Sequence, residues 1–319
     1  MIPEQYQGYE TTCTIAAVNF SPVWGDKAAT LDKIEATVIE AARQGADLIA
    51  FPEEALTTPT GCAGCRDIDG PCDWHHGLAE TVPGPAADRI ARIAKEHDCY
   101  VFFGLAERDR HDPTKLYNAV AAIGPDGLLG TYRKVHLGSL PWVTEGITYT
   151  PGNELPVFET RFGPVGVQIC YDYWFNPELT RLLALKGARV VLNCCASFTQ
   201  PGKREYMEYT TRTRAQENLI YTASANHVGG PGSDDTFGAN DLHSERAANF
   251  AGYSVIAGPA FPRFSQTLAQ AGEQEEIVCA TVSFERLHRW ESIFPWRDWR
   301  RGHQTAVNEL LAKEFQALA

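Results

Sequence analysis

The chain has 319 residues, of which 44% are hydrophobic and 21% charged, and it carries a formal net charge of -12 at pH 7. This is the composition of a soluble globular protein whose core is large enough to need no disulfide or metal staple. A surface this acidic repels nucleic acid and anionic lipid, so neither is expected as a partner.

In chain order, the N-terminus (MIPEQYQGYETTC) shows neither the basic cluster nor the apolar segment of a secretory signal. Thr12 to Phe20 reads as a first strand. Thr30 to Arg43 has Leu31, Ile34, Val38, Ile39 and Ala42 at helical spacing, with Gly45 as a stop. Asp47 to Phe51 is a buried strand ending at Pro52. Ala86 to Lys95 is a helix with Pro85 near its start. Tyr100 to Leu105 is a strand, and Tyr117 to Ile123 and Leu128 to Tyr132 form a hairpin around Pro125-Asp126-Gly127.

The alternation then resumes. Val165 to Cys170 is a strand, Pro177 to Lys186 a helix, Arg189 to Asn193 a strand, Glu205 to Glu217 a helix and Leu219 to Ala225 a strand. Tyr253 to Ala257 and Ile277 to Val282 read as a late antiparallel pair. Residues 1–290 form one domain, with no linker or repeat inside it. Residues 291–319 are a tail suited to packing against a second copy of the chain. No stretch reaches the length of a membrane span. Nine cysteines, an odd number scattered along the chain, suit reduced thiols in a cytoplasmic protein.

Phosphate-loop, His-Glu-x-x-His and Gly-x-Ser-x-Gly motifs are missing, and the Gly-rich run Gly229 to Asp235 lacks the strand–turn–helix context of a dinucleotide site. Three strand ends instead present reactive groups. DLIAFPEEAL delivers Glu53, TYRKVHL delivers Lys134 and GVQICYDYWF delivers Cys170. Strand ends are where distant segments of a layered α/β fold converge on a pocket. A carboxylate, an amine and a thiol together suit acyl transfer: base, cation for the developing charge, and nucleophile. Each alone has a plainer reading, as a surface acid, a solvated lysine or a small buried hydrophobe. The ordered trio favours chemistry.

With these motifs the chain resembles the nitrilase, or carbon–nitrogen hydrolase, superfamily from Thr12 to about Trp290. FPE at Phe51 to Glu53 looks like its glutamate motif, KLYNAVAAIGPDGLLGTYRKVHL like its lysine segment and GPVGVQICYD like its nucleophile motif. Glu145, in TEGITYTPGN, matches the family's second glutamate. The resemblance implies a four-layer α-β-β-α sandwich, catalysis by Glu53, Lys134, Glu145 and Cys170, no cofactor, and at least a homodimer. It implies a small-molecule amide, N-carbamoyl or nitrile substrate. Tyr171-Asp172 after the nucleophile is similar to the amidase and carbamoylase branches, whereas true nitrilases usually carry Trp-Glu there. A nitrilase, an acyltransferase and a catalytically silent scaffold are the alternatives. The backbone N–H of Tyr171 is expected at the oxyanion, and Trp142, Tyr173 and Trp174 either line the pocket or pack in the core.

The chain departs from the family pattern in three places. Asn176 adds a residue before Pro177, Cys194-Cys195-Ala196-Ser197 follows Asn193 where relatives often have a proline, and TTPTGCAGCRDIDGPCDW after Glu53 is unusually rich in cysteine. Cys62, Cys65, Cys72 and His75 have spacing that can serve zinc. The expectation taken from the family is instead a metal-free, pocket-lining loop.

Overall fold

The computed structural model describes residues 2–58, 63–138, 144–230 and 249–318. Trp142, Cys62 and most of the Gly229–Asp235 run lie outside them. The first half runs β1 (Thr12–Asn19), α1 (Lys27–Arg43), β2 (Leu48–Ala50), α2 (Ala63–Ile68), α3 (Asp73–Leu78), α4 (Pro85–Glu96), β3 (Tyr100–Arg108), β4 (Leu116–Gly124), β5 (Gly127–Arg133) and α5 (Glu145–Thr148). The second runs β6 (Val157–Phe158), β7 (Val165–Ile169), α6 (Tyr171–Trp174), α7 (Pro177–Leu185), β8 (Val190–Cys195), α8 (Lys203–Asn218), β9 (Tyr221–Asn226), β10 (Val228–Gly229), β11 (Phe250–Ala251), β12 (Val255–Ala260), β13 (Arg263–Gln270) and β14 (Glu276–Ser283). Helices α9 (Phe284–Ile293), α10 (Trp296–Gly302) and α11 (Gln304–Leu318) follow.

Two six-stranded sheets result, in the orders β14-β1-β2-β3-β4-β5 and β13-β12-β9-β8-β7-β6. The side-chain period of two sorts the core. In β1, Ile15 and Ala17 face the other sheet and pack with Val167, Ile169, Leu192 and Ala223, while Ala16 and Val18 face outward onto Ile34, Val38 and Ile90 of α1 and α4. Helices α7 and α8 cover the far side of the second sheet. The layers are therefore α-β-β-α, as the resemblance implies. Local chemistry sets the helix starts. The Asp26 carboxylate accepts the Ala29 N–H at 2.9 Å to cap α1, and Pro85 opens α4.

One strand pairing differs from the sequence expectation. Ile277 to Val282 lies in β14, which pairs antiparallel with β1 in the first sheet, whereas β12 pairs with β13 in the second. The strand Arg263–Gln270 was not expected, because its polar, half-exposed sequence RFSQTLAQ lacks a buried face. Arg297, in α10, is buried and donates to the carbonyl oxygens of Ala184, Asn218 and Leu219 at 3.2–3.3 Å, so α10 packs on its own domain. Helix α11 leaves Leu310, Leu311 and Phe315 exposed.

Candidate active site

Glu53 follows β2 after Phe51 and Pro52, where the chain turns through Glu54 at φ 48°. That turn lies against Gly104 of β3, where a Cβ would meet the Glu54 nitrogen at 2.3 Å and the Pro52 oxygen at 2.4 Å. Only glycine permits this approach. Lys134 follows β5, with its backbone N–H bonded to the Asn118 carbonyl oxygen at 2.8 Å. Glu145 opens α5.

These three side chains meet. The Lys134 ammonium donates to Glu53 Oε1 at 2.6 Å and to both oxygens of Glu145, at 2.6 and 2.7 Å. The Asn118 amide donates to Glu53 Oε1 and Glu145 Oε1, both at 2.8 Å. The Gly138 N–H donates to the second Glu145 oxygen. All four residues are buried or nearly so: Lys134 is 1% and Glu53 3% exposed, low enough that their charges must be satisfied by protein partners.

The two carboxylates titrate apart. Burial pushes Glu53 up, and Glu145 adds to this against the opposing pull of Lys134, so that its pKa reaches about 7. Burial also pushes Glu145 up, but Lys134 and the Gly138 N–H outweigh it and hold it below the ordinary glutamate value. Burial opposes the charge on Lys134, yet Glu145 and Glu53 keep its pKa well above the usual lysine value. Two carboxylates sharing one cation leave a net negative charge in a dry site, and the proton settles on the one with fewer donors, Glu53.

Cys170 sits between β7 and α6 with φ 47° and ψ -100°. A non-glycine residue held there stores on the order of 1–3 kcal/mol, which surrounding bonds must offset. Its N–H donates to the Cys194 carbonyl and to Asn193 Oδ1, both at 3.1 Å, and its carbonyl oxygen accepts the N–H groups of Tyr173 and Trp174, both at 2.9 Å. Burial pushes the thiol well up, Glu53 adds to this, and Lys134 and the Ala196 N–H oppose it. Cys170 is thus electrostatically linked to both Glu53 and Lys134 across the gap between the sheets. Tyr171 lies at the same junction, with Lys134 Nζ 5.7 Å from its ring centroid.

Tyr173 and Trp174 are buried in the cluster that also holds Cys170. Tyr173 is fully buried, and Trp174 is 6% exposed with its ring against Tyr206. Trp142 lies outside the described residues.

Several contributors escaped sequence reasoning. Asn118 clamps both carboxylates, and its only signal was a polar residue inside the apolar strand LYNAVAAI. His227 bridges the carbonyl oxygens of Phe20, at 3.0 Å, and Glu53, at 2.7 Å. Asp172 accepts from the Tyr132 hydroxyl at 2.6 Å, the Val135 N–H at 3.2 Å and the His136 N–H at 2.8 Å, tying the Lys134 segment to α6. Lys203 and Tyr206 of α8 are further titratable groups that burial shifts. Burial lowers the Lys203 pKa.

Comparison with known proteins gives the family and the fold. Residues 14–292 match the family model described as carbon–nitrogen hydrolase. The chain is 32% identical to omega-amidase NIT2 of Xenopus tropicalis over 297 residues, covering 91% of this chain and 94% of that protein. It is also 32% identical to a nitrilase of Pyrococcus abyssi over 266 residues, covering 83% and 87%. Among solved structures, the carbon–nitrogen hydrolase of Helicobacter pylori superposes with a TM-score of 0.75 at 20% identity, covering 94% of this chain and 98% of that one. Saccharomyces cerevisiae Nit3 superposes at 0.72 and 24% identity, covering 91% and 97%.

Proposed function

The chain belongs to the carbon–nitrogen hydrolase family and is an amidohydrolase of that kind, and on this premise we propose that it cleaves an amide or N-carbamoyl bond through a thioester on Cys170. The observation that carries the reading is the split between two carboxylates on one lysine. Glu53, with a pKa near 7, can take and return a proton, whereas Glu145 stays ionised and fixes Lys134. Glu145 therefore orients rather than protonates.

Because its pKa is raised, the Cys170 thiol rests protonated, and its proton must pass to Glu53 as sulfur attacks the carbonyl carbon. The carbonyl π electrons move onto oxygen. Lys134 faces that oxyanion together with the Tyr171 N–H, which lies in the first turn of α6, where backbone donors have no partner within the helix. Collapse of the tetrahedral intermediate breaks the C–N bond, and Glu53 gives its proton to the leaving nitrogen. Glu53 then takes a proton from water, hydroxide adds to the thioester, and the Cys170 thiol is regenerated as the acid leaves.

The same thiol attacks a nitrile carbon, and the Pyrococcus abyssi relative carries the name nitrilase. Tyr171-Asp172 after the nucleophile favours the amide reading. Two further expectations join the proposal. The exposed Leu310, Leu311 and Phe315 of α11 support a homodimer or higher oligomer through the tail. The scattered cysteines support a cytoplasmic setting. No described helix is long and apolar enough to cross a membrane.

Ammonia release from a panel of amides, N-carbamoyl compounds and nitriles tests the substrate class. The panel includes amides with and without a second carboxylate. The amides or carbamoyl compounds are expected to lead; turnover of nitriles alone would overturn the assignment.

A further inference from the structure

Behind the carboxylates, the cysteine-rich segment folds into two short helices. Cys65 lies in α2, Cys72 caps the start of α3 and His75 lies within α3. Helices of six residues do not hold their own shape in water, so tertiary contacts must fix them. The contacts here come from soft donors. Cys65 Sγ lies 3.1 Å and Cys72 Sγ 3.4 Å from His75 Nδ1, and all three donor atoms fall within 4.8 Å of one another. Cys65 is fully buried, His75 is 3% exposed and Cys72 is half-buried.

We propose that Cys65, Cys72 and His75 form a structural zinc site. A tetrahedral ion with Zn–S near 2.3 Å and Zn–N near 2.0 Å holds its sulfur and nitrogen ligands about 3.5 Å apart, close to the two separations observed. The donor set is two thiols and an imidazole with no carboxylate, which suits zinc and not magnesium or calcium. The Cys72 N–H donates to Cys65 Sγ at 3.3 Å, the kind of support a metal-bound thiolate receives. Zinc binding displaces the two thiol protons to solvent and leaves the imidazole neutral, its Nδ1 lone pair on the metal. Three ligands leave one tetrahedral position for water or a further donor. The sequence carries Cys62 nearby, outside the described residues, and the proposal rests on the other three.

The site is separate from the catalytic set but connected to it. The His75 ring stands edge-on to Tyr149 at 6.1 Å, and the Tyr149 hydroxyl donates to Glu54, the neighbour of Glu53. Helix α2 also touches α5, which begins with Glu145. Zinc would staple the segment that backs both catalytic glutamates, a structural role that needs no metal in the chemistry.

The test is metal content, which does not depend on activity. Full-length protein is purified from zinc-supplemented culture under reducing conditions, without chelators, and analysed by elemental mass spectrometry. About one zinc per chain is expected, falling to about a tenth or less in Cys65→Ser and His75→Gln and unchanged in Cys170→Ala. Should those variants fail to fold, wild-type protein stripped by chelation and refilled with cobalt(II) reports instead, through visible ligand-field bands and near-ultraviolet thiolate-to-cobalt charge transfer. Folded wild-type protein that carries no zinc and shows no such bands overturns the site. So does a Cys65–Cys72 disulfide, seen as a mass lower by two hydrogens in protein prepared without oxidant.

Discussion

The two sheets contribute to the site by different means. The first supplies charge. Glu53, Lys134, Asn118 and Glu145 come from the ends or faces of β2, β5, β4 and α5, and they satisfy one another through bonds of 2.6–2.8 Å. The second sheet supplies a thiol held through its own backbone, in an elbow with positive φ pinned by the Cys194 carbonyl and the Asn193 side chain. Charges in a dry site have to be fixed by partners, because an unpaired one costs several kcal/mol. A neutral thiol needs only direction, which backbone geometry gives. Asp172 is the joint, one residue beyond Tyr171 on the second sheet's side and bonded to Tyr132, Val135 and His136 on the first.

If this division holds, removing either pole stops the reaction. Cys170→Ala and Glu53→Gln are each expected to lower kcat by about ten-thousandfold or more, with circular dichroism unchanged. Near-normal turnover by either folded variant would break the division outright. Lys134→Ala is expected to lose about a thousandfold, and Lys134→Arg should not rescue it, since a planar guanidinium cannot match a compact ammonium between two carboxylates. Recovery of activity in the arginine variant would show that charge alone suffices.

Asp172→Asn tests the joint. An amide cannot accept from all three donors, so the Lys134 segment should loosen relative to Cys170. The expected loss is about ten- to a hundredfold, in kcat more than in KM. A stability loss with unchanged kcat would reduce Asp172 to a structural residue.

The pH profile sharpens the role of Glu53. A base must be ionised to accept the thiol proton, and burial raises Glu53 to about 7, so kcat/KM should fall about tenfold per unit as pH drops below that value. An acid limb near the ordinary glutamate value would contradict the assignment. Glu54→Gln should have the smallest effect, within about threefold. Burial pushes Glu54 well up, so it is less suited than Glu53 to carry the negative charge of a base. If Glu54→Gln is dead and Glu53→Gln mild, the two roles are exchanged.

Much of this was legible in the sequence because chemistry and periodicity coincide at strand ends. The apolar runs before Glu53 and Cys170 marked both the strands and the pocket edge, and the Pro125-Asp126-Gly127 turn fixed the hairpin that ends at Lys134. What was missed is non-local. The value of Asn118 and Asp172 depends on partners brought together by sheet pairing, which a period of two does not reveal. The β1–β14 pairing spans almost the whole chain, and the polar strand β13 that separates β14 from β12 carries no alternation to betray it. Tyr173 and Trp174 follow the nucleophile just as Tyr171 does, yet the tight turn of α6 buries them more deeply. The Cys65, Cys72 and His75 spacing was visible, but only the fold of α2 onto α3 brings the three donors into contact.

The central claim is that Cys170 carries the acyl group while Glu53 moves the proton. Acid-quenched peptide mass spectrometry tests it most directly, on enzyme mixed with a slowly deacylating amide or ester. The account predicts an acyl adduct on the peptide containing Cys170, released by hydroxylamine and absent in Cys170→Ala. In Glu53→Gln the adduct should form far more slowly. Steady turnover with no adduct on Cys170, or with an adduct on another residue, would contradict it.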